Sequence, residues 1–411
     1  MNSRPVLIIL IILGLGGLVG LAWVNYRFSI ENPGGGDFLP RWVGTRLFLT
    51  QGLNPYGEKA TLEIQNLYYG RPANADEDPQ LFYYPLYSIL FFGPFALIKN
   101  YALARALWMT LLELSLLILA VLSLKLSNWR LTVVKLSLVL AFSLLWYPGF
   151  RNIINGQFAA LDSLFIICAL LLIYRKEDTG AGILLALSTI EPQMVVLIIP
   201  FILLWSLSVR RYQIIFGTLG GIAVLMVFSL VLLPSWPVDI LRQLLSNPSY
   251  TVRIKSIPSI IANTVPGINR PLDLFINVII CAYLIFEWVI SWAKNERWFI
   301  WTALLTLVVT NILIVRSSTT QYVVMLPILF LLSRVWEDRL GRIGQILTWL
   351  LFIGITIGLW GLFITTAPGN LEPTIMYLPL PVICLFGLWW ARWWAIHPPR
   401  VLVDEFATFR E

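Results

Sequence analysis

Apolar residues run through the chain in long unbroken blocks separated by short polar connectors. The blocks cover 5–25, 81–98, 101–124, 131–148, 158–174, 180–190, 192–208, 212–233, 271–293, 298–315, 320–333, 344–364 and 375–394. A helix needs roughly 20 apolar residues to cross the hydrocarbon core. None of the blocks alternates apolar with polar positions, as the strands of an outer-membrane barrel do. The pattern predicts an all-α, polytopic transmembrane helical bundle with roughly 10–12 membrane segments. Residues 1–411 read as a single membrane domain: a first span at 5–25, an outer loop at 26–80, a membrane bundle at 81–394 and a tail at 395–411. The first block has the length of a signal peptide, but no small-x-small site precedes Trp23-Val24-Asn25-Tyr26-Arg27, so an uncleaved anchor is expected. No internal repeat is visible.

Two blocks are interrupted. Gly93-Pro94 breaks 81–98, and Glu191-Pro192 separates 180–190 from 192–208. Lys and Arg in short connectors set orientation. Lys125/Arg130, Arg175/Lys176, Arg210/Arg211, Lys294/Arg297, Arg334/Arg339/Arg342 and Arg392/Arg400 read as cytoplasmic, and so do both termini of a multi-pass cell-membrane protein. The loops 26–80 and 234–270 and the turns 149–157, 316–320 and 365–374 are then outside. The alternation holds if 81–98 is re-entrant and 180–208 is a hairpin with Glu191-Pro192 at its outer tip. Irregular backbone at membrane depth is tolerated where it faces protein or a watery cavity, so both breaks point to a cavity on the outer side. Within the outer loop, residues 38–51 (FLPRWVGTRLFLTQ) carry apolar residues at helical spacing with Arg41 and Arg46 between them. That suits a short helix lying in the membrane interface.

Composition agrees with this picture. Of 411 residues, 58% are hydrophobic and 12% are charged, and the mean hydropathy is +0.79; an ordinary soluble domain is about 25% charged. A soluble enzyme on a single anchor and a disordered chain are both excluded. A net charge of +7 in a soluble protein would suggest nucleic acid. Here the basic residues are spread among connectors, no nucleic-acid module is present, and the expected surroundings are membrane lipids. Cys168, Cys281 and Cys384 lie inside apolar blocks and read as buried thiols. The sole histidine, His397, excludes His-cluster metal sites, paired-histidine haem and a Ser-His-Asp triad within the spans. Any general base is therefore a carboxylate or something less common.

Asp37, in Gly34-Gly35-Gly36-Asp37-Phe38, is the first candidate. It follows the first span directly, and the glycines before it allow unusual backbone angles and close approach of a substrate. It also stands where a helix N-cap is favoured, and the two roles can coexist. Downstream lie the turn Gly52-Leu53-Asn54-Pro55-Tyr56-Gly57 and the run Phe82-Tyr83-Tyr84-Pro85-Leu86, whose tyrosines also suit an interfacial belt. Asn155-Gly156-Gln157, with Asp162 beyond it, and Glu191-Pro192-Gln193 are polar islands between apolar segments. An ionisable residue there is costly and suggests function. Arg316 and Gln321-Tyr322 form another such island. Arg253 and Lys255, in the outer 234–270 loop, suit a lipid phosphate or simple headgroup contact. Glu113 and Glu287 lie inside spans without an evident role. Asp76-Glu77-Asp78 carries the oxygens for a divalent metal, but no other carboxylate is brought beside it, so it reads as a solvated loop and no metal site is expected.

At these residues the sequence resembles the family 87 glycosyltransferases, polytopic enzymes of the C-type glycosyltransferase fold (GT-C). The similarity runs from Gly36-Asp37-Phe38 through Trp42, Gly52-x-Asn54-Pro55-Tyr56 and Phe82-x-Tyr84-Pro85. It continues through Pro94, Ala104, Trp108, Asn155-Gly156-Gln157 and Pro192. The second half is similar mainly in its span pattern and in the 316–322 island. Two positions depart: Glu191 stands where the family commonly has Lys before the hairpin proline, and Gln321 where it often has His before Tyr322. The resemblance implies transfer of a hexose, typically mannose, from a polyprenyl-phosphate donor to a glycan or glycolipid acceptor at the outer face, with inversion. It implies Asp37 as general base and no cofactor. The substrate-binding candidates are Asn54, Tyr56, Tyr84, Asn155, Gln157, Glu191, Gln193, Arg253, Lys255, Arg316, Gln321 and Tyr322. A lipid-phosphate donor carries fewer charges than a nucleotide sugar, so the chemistry does not demand a metal. The rival readings are a transporter or lipid flippase, which shares broken helices and buried charge, and a non-catalytic relative in a glycan assembly system. The absent inverted repeat and the gathering of polar residues on one side speak against transport.

Overall fold

The computed structural model describes residues 3–74, 77–246, 256–313, 318–367 and 372–397, and side chains from Gly14 onward. It is 81% helical, and no strand occurs among the described residues. Among the described residues, seven helices are long and apolar enough to cross a membrane: Tyr101–Leu126, Tyr212–Leu232, Asn269–Ser291, Glu296–Leu313, Thr319–Leu340, Arg342–Thr366 and Thr374–Ile396. Helices Val133–Leu145 and Tyr147–Asn155 qualify only as a pair, bent by 53°. Four more apolar helices are short: Leu86–Ala96, Ala159–Tyr174, Asp178–Ile190 and Pro192–Ser208. The expected 10–12 segments therefore separate into helices that can cross alone and helices that cannot.

Contacts cluster into two compact units. The first comprises Met1–Ser115, Arg151–Phe158 and Phe228–Asn247. Its first five helices are α1 (Ser3–Glu31), α2 (Phe38–Gln51), α3 (Glu58–Tyr69), α4 (Ile89–Ala96) and α5 (Tyr101–Leu126), the last of which continues beyond the unit. Helix α2 covers the span predicted from its periodicity. Its first two turns, however, are core: Phe38, Leu39, Arg41, Trp42, Val43 and Thr45 are all buried. Gly52 ends it at φ 65°; its N–H donates to the Phe48 carbonyl at 3.1 Å and the Leu53 N–H to the Leu47 carbonyl at 3.3 Å, which closes the last turn. Helix α4, with Pro94 inside it, spans only eight residues and is too short to cross. The core is aromatic. Phe38 stacks on Trp108 with centroids 5.4 Å apart, and Phe92 and Phe158 pack around the same indole. Each such pair adds about 0.5–1.5 kcal/mol beyond its buried area.

The second unit comprises Leu116–Phe150, Ala159–Val227 and Pro248–Glu411. Phe142 and Phe352 stack within it at 4.4 Å. Glu287, without a role in the sequence, accepts both guanidinium bonds of Arg392 at 2.9 and 3.0 Å and is buried, as an intramembrane carboxylate requires. Glu113, in the first unit, accepts from Asn25 at 2.8 Å. Cys384 is buried, but Cys281 is exposed on an apolar helix, so the expectation of three buried thiols holds only in part. Two connectors are more structured than expected. The 149–157 turn is mostly helix, Tyr147–Asn155, and the 234–270 loop contains helices Trp236–Ser246 and Ile257–Ala262.

Candidate active site

The peptide leaves α1 at Glu31 and re-enters helix at Phe38, and the short link between them carries Asp37. Gly35 adopts φ +80°, a left-handed conformation that an L side chain rarely takes. A Cβ there would also stand 2.8 Å from the Tyr101 hydroxyl and 2.9 Å from Arg105 Nε. The Gly35 carbonyl then accepts the N–H groups of Phe38 and Leu39 at 2.9 Å, which turns the chain into α2.

Asp37 occupies the N-cap position of α2, yet its side chain makes no capping bond. Its backbone N–H donates to the Asn155 carbonyl at 3.1 Å. The carboxyl instead meets the Gln157 side chain and the charges of Arg41 and Arg151. Burial raises its pKa above the ordinary carboxylate value. Arg41, the Gln157 hydrogen bond and Arg151 act in the opposite direction, while Asp78 adds to the rise.

Arg41 organises the surroundings. One turn along α2 from Asp37, it lies on the same helical face and is fully buried. It donates to the Gly156 carbonyl at 2.8 Å, to Gln157 Oε1 at 2.9 Å and to the Tyr84 hydroxyl. Its guanidinium sits 4.1 Å from the Tyr84 ring centroid. Tyr84 in turn offers its carbonyl to the Tyr56 hydroxyl at 2.6 Å. Asn54 Oδ1 accepts the Tyr56 N–H at 3.0 Å, and its Nδ2 donates to Asp239 at 2.7 Å. The first unit thus brings Asp37, Asn54, Tyr56, Tyr84, Asn155 and Gln157 into one connected network, with Asn155 contributing its main chain. Burial raises the pKa of the Tyr56 hydroxyl, so it stays neutral and donates.

The sequence places Arg41 only on an interfacial helix and Asp78 only in a solvated acidic loop, and nothing in it marks Tyr68 or Arg105. Tyr68 and Asp78 lie near enough to Asp37 to feel its charge or act upon it. The i, i+4 spacing from Asp37 was the available signal for Arg41. In the acidic run, both Glu77 oxygens receive Arg71 at 2.7 Å, which holds that carboxyl down at about 2. No group of three metal-ligating side chains occurs among the described residues.

A second polar cluster forms within the second unit at the helix break. Glu191 is buried, and its Oε2 is 3.4 Å from both Gln193 Nε2 and Gln321 Nε2. The two positions that depart from the family pattern therefore touch each other. Gln321 also closes a capping box with Ser318, and Tyr322 donates to the Tyr377 carbonyl at 3.0 Å. Asp162 lies buried close enough to interact electrostatically with Glu191. Glu372 accepts the hydroxyls of Tyr147 and Thr319, both at 2.7 Å. Arg253, Lys255 and Arg316 lie outside the described residues.

The profile of glycosyltransferase family 87 matches residues 82–317. The matched region opens at Phe82-x-Tyr84-Pro85 and takes in Asn155-Gly156-Gln157, Glu191-Pro192 and Arg316; Asp37 precedes it. No curated protein and no solved structure is significantly similar to the chain. With more than half of its length matched by one family and seven helices able to cross a bilayer, the chain belongs to glycosyltransferase family 87 and is a multi-pass membrane glycosyltransferase.

Proposed function

We propose that the protein transfers a hexose, mannose being the representative sugar, from a polyprenyl-phosphate donor to a hydroxyl of a glycan or glycolipid acceptor at the outer face of the cell membrane. Asp37 is the general base. The observation that carries this reading is the setting of its carboxyl: free of the capping duty that its position invites, and raised in pKa by burial against the opposing pull of Arg41, Gln157 and Arg151. A sugar hydroxyl is a poor nucleophile until a carboxylate takes its proton during attack. The acceptor oxygen attacks the anomeric carbon as the bond to the phosphate oxygen breaks. The proton goes to Asp37, and the polyprenyl phosphate leaves as an anion. Attack opposite the leaving group inverts the anomeric centre. A base whose pKa is raised by burial takes that proton more readily than an ordinary aspartate.

Asn54, Tyr56, Tyr84, Asn155 and Gln157, in the same unit as Asp37, bind substrate in this reading. Glu191, Gln193, Gln321 and Tyr322 are further substrate-binding candidates, with Arg253, Lys255 and Arg316 as candidates for the donor phosphate. The test is purified protein in lipid, supplied with polyprenyl-phosphate hexose and an acceptor extract. A new glycoconjugate with inverted anomeric configuration is expected. Movement of the lipid-linked sugar across proteoliposomes without any bond formed would instead identify a transporter.

A further inference from the structure

Arg105 is 2% exposed and pairs with no carboxylate among the described residues. Its guanidinium is spent on main chain. Nη1 donates to the Asn32 carbonyl at 2.7 Å, and Nη2 lies 3.3 Å from the Ile154 carbonyl. Nε has no hydrogen-bond partner, and the group sits 5.6 Å from the Phe28 ring centroid. A buried cation satisfied only by carbonyls is costly, so its placement calls for a reason.

The two carbonyls belong to the two segments that hold Asp37. Asn32 opens the link from α1, and Ile154 precedes Asn155, whose carbonyl receives the Asp37 N–H at 3.1 Å. Tyr101, one turn earlier on α5, donates its hydroxyl to the Gly34 carbonyl at 2.9 Å. The glycines make this approach possible: a Cβ on Gly34 would lie 3.3 Å from Arg105 Nη2, and one on Gly35 would collide with both Arg105 and Tyr101.

We propose that Arg105 is a positioning residue for the transfer reaction. By clamping the Asn32–Gly36 link to the Ile154–Gln157 segment, it fixes the backbone of Asp37 against the Asn155 carbonyl and so sets where the carboxyl points. The proposal rests on Asp37 as the base. Lysine cannot replace arginine here, because one ammonium on a flexible stem does not reach two carbonyls with fixed geometry.

Arg105→Lys is compared with the native protein by local hydrogen exchange and by steady-state transfer. Amides of 34–38 and 153–157 should exchange faster while the rest of the unit is unchanged. The kcat should fall between roughly 10- and 100-fold, the scale for about an ångström of misplacement, with the donor KM little altered. Arg105→Gln, which keeps amide N–H donors without the buried charge, is read by the same two measurements with the same losses expected, and it decides the matter if the lysine variant does not fold. Unchanged exchange in 34–38 and 153–157 overturns the clamp. Faster exchange with native kcat, or a loss confined to donor KM, overturns the positioning role. Full activity of Asp37→Asn would remove the base reading itself, independently of the exchange result.

Discussion

At the Asp37 carboxyl, burial raises the pKa while Arg41 and Gln157 pull it down. Asp37 stands out in the sequence by its glycines and its place after the first span, and in the structure its side chain makes no capping bond. Arg41 was misjudged because apolar residues interleaved with Arg look the same on an interfacial helix and on a buried one. Burial depends on partners distant in sequence, here Tyr84 and Gly156. The pKa shift of Asp37 gives a signed expectation. A base acts in its ionised form, and burial raises the pKa, so kcat/KM should fall on acidification through a pH above the usual carboxylate range. Arg41 opposes that rise. Arg41→Gln should therefore move the acid limb to still higher pH, and pH–rate profiles of the two proteins check the direction.

Among the elements, helices were located well because a period of 3.6 and a long apolar block survive any tertiary context. Helix α2 and most spans begin and end within a few residues of the apolar blocks. The polar segment at 149–157 misled because its residues looked like turn formers, yet helix runs through Asn155 and stops only where Gly156 reaches φ +75°. That glycine has two duties. It takes a left-handed conformation, and its missing Cβ leaves room for Phe38, whose own Cβ would stand 2.5 Å away. Gly156→Ala should cost about 2–3 kcal/mol from the backbone and overpacking contributions together. It should also disturb the Asp37 contact with Asn155. A lower thermal midpoint in detergent together with reduced transfer is the expected result.

At the scale of the whole molecule, fold class is legible in the apolar blocks and sidedness far less so. Hydropathy settles that the chain is a polytopic helical protein. Orientation rests on the distribution of Lys and Arg, an energetic preference during insertion that leaves no mark on the packed helices. The short apolar helices, Leu86–Ala96 and the pair around Glu191, coincide with the blocks read as re-entrant and as a hairpin, and each is short of the length that crosses alone. A sidedness test follows. In a background with Cys281 replaced by Ser, a cysteine at Lys59 should react with an impermeant maleimide from outside, and one at Asn295 only after permeabilisation; both positions are exposed. The reverse pattern would invert the proposed topology and put Asp37 on the cytoplasmic face.

The most direct test of the central claim is transfer by Asp37→Asn, measured against the native protein with the same polyprenyl-phosphate hexose and acceptor. Asparagine keeps the size of the side chain and its ability to bond Gln157, but it cannot take a proton. Expression, thermal midpoint and donor binding should be unchanged, while kcat falls by roughly 10²-fold or more. Near-native transfer by the asparagine variant would contradict the account and leave Asp37 a structural residue of the loop between α1 and α2.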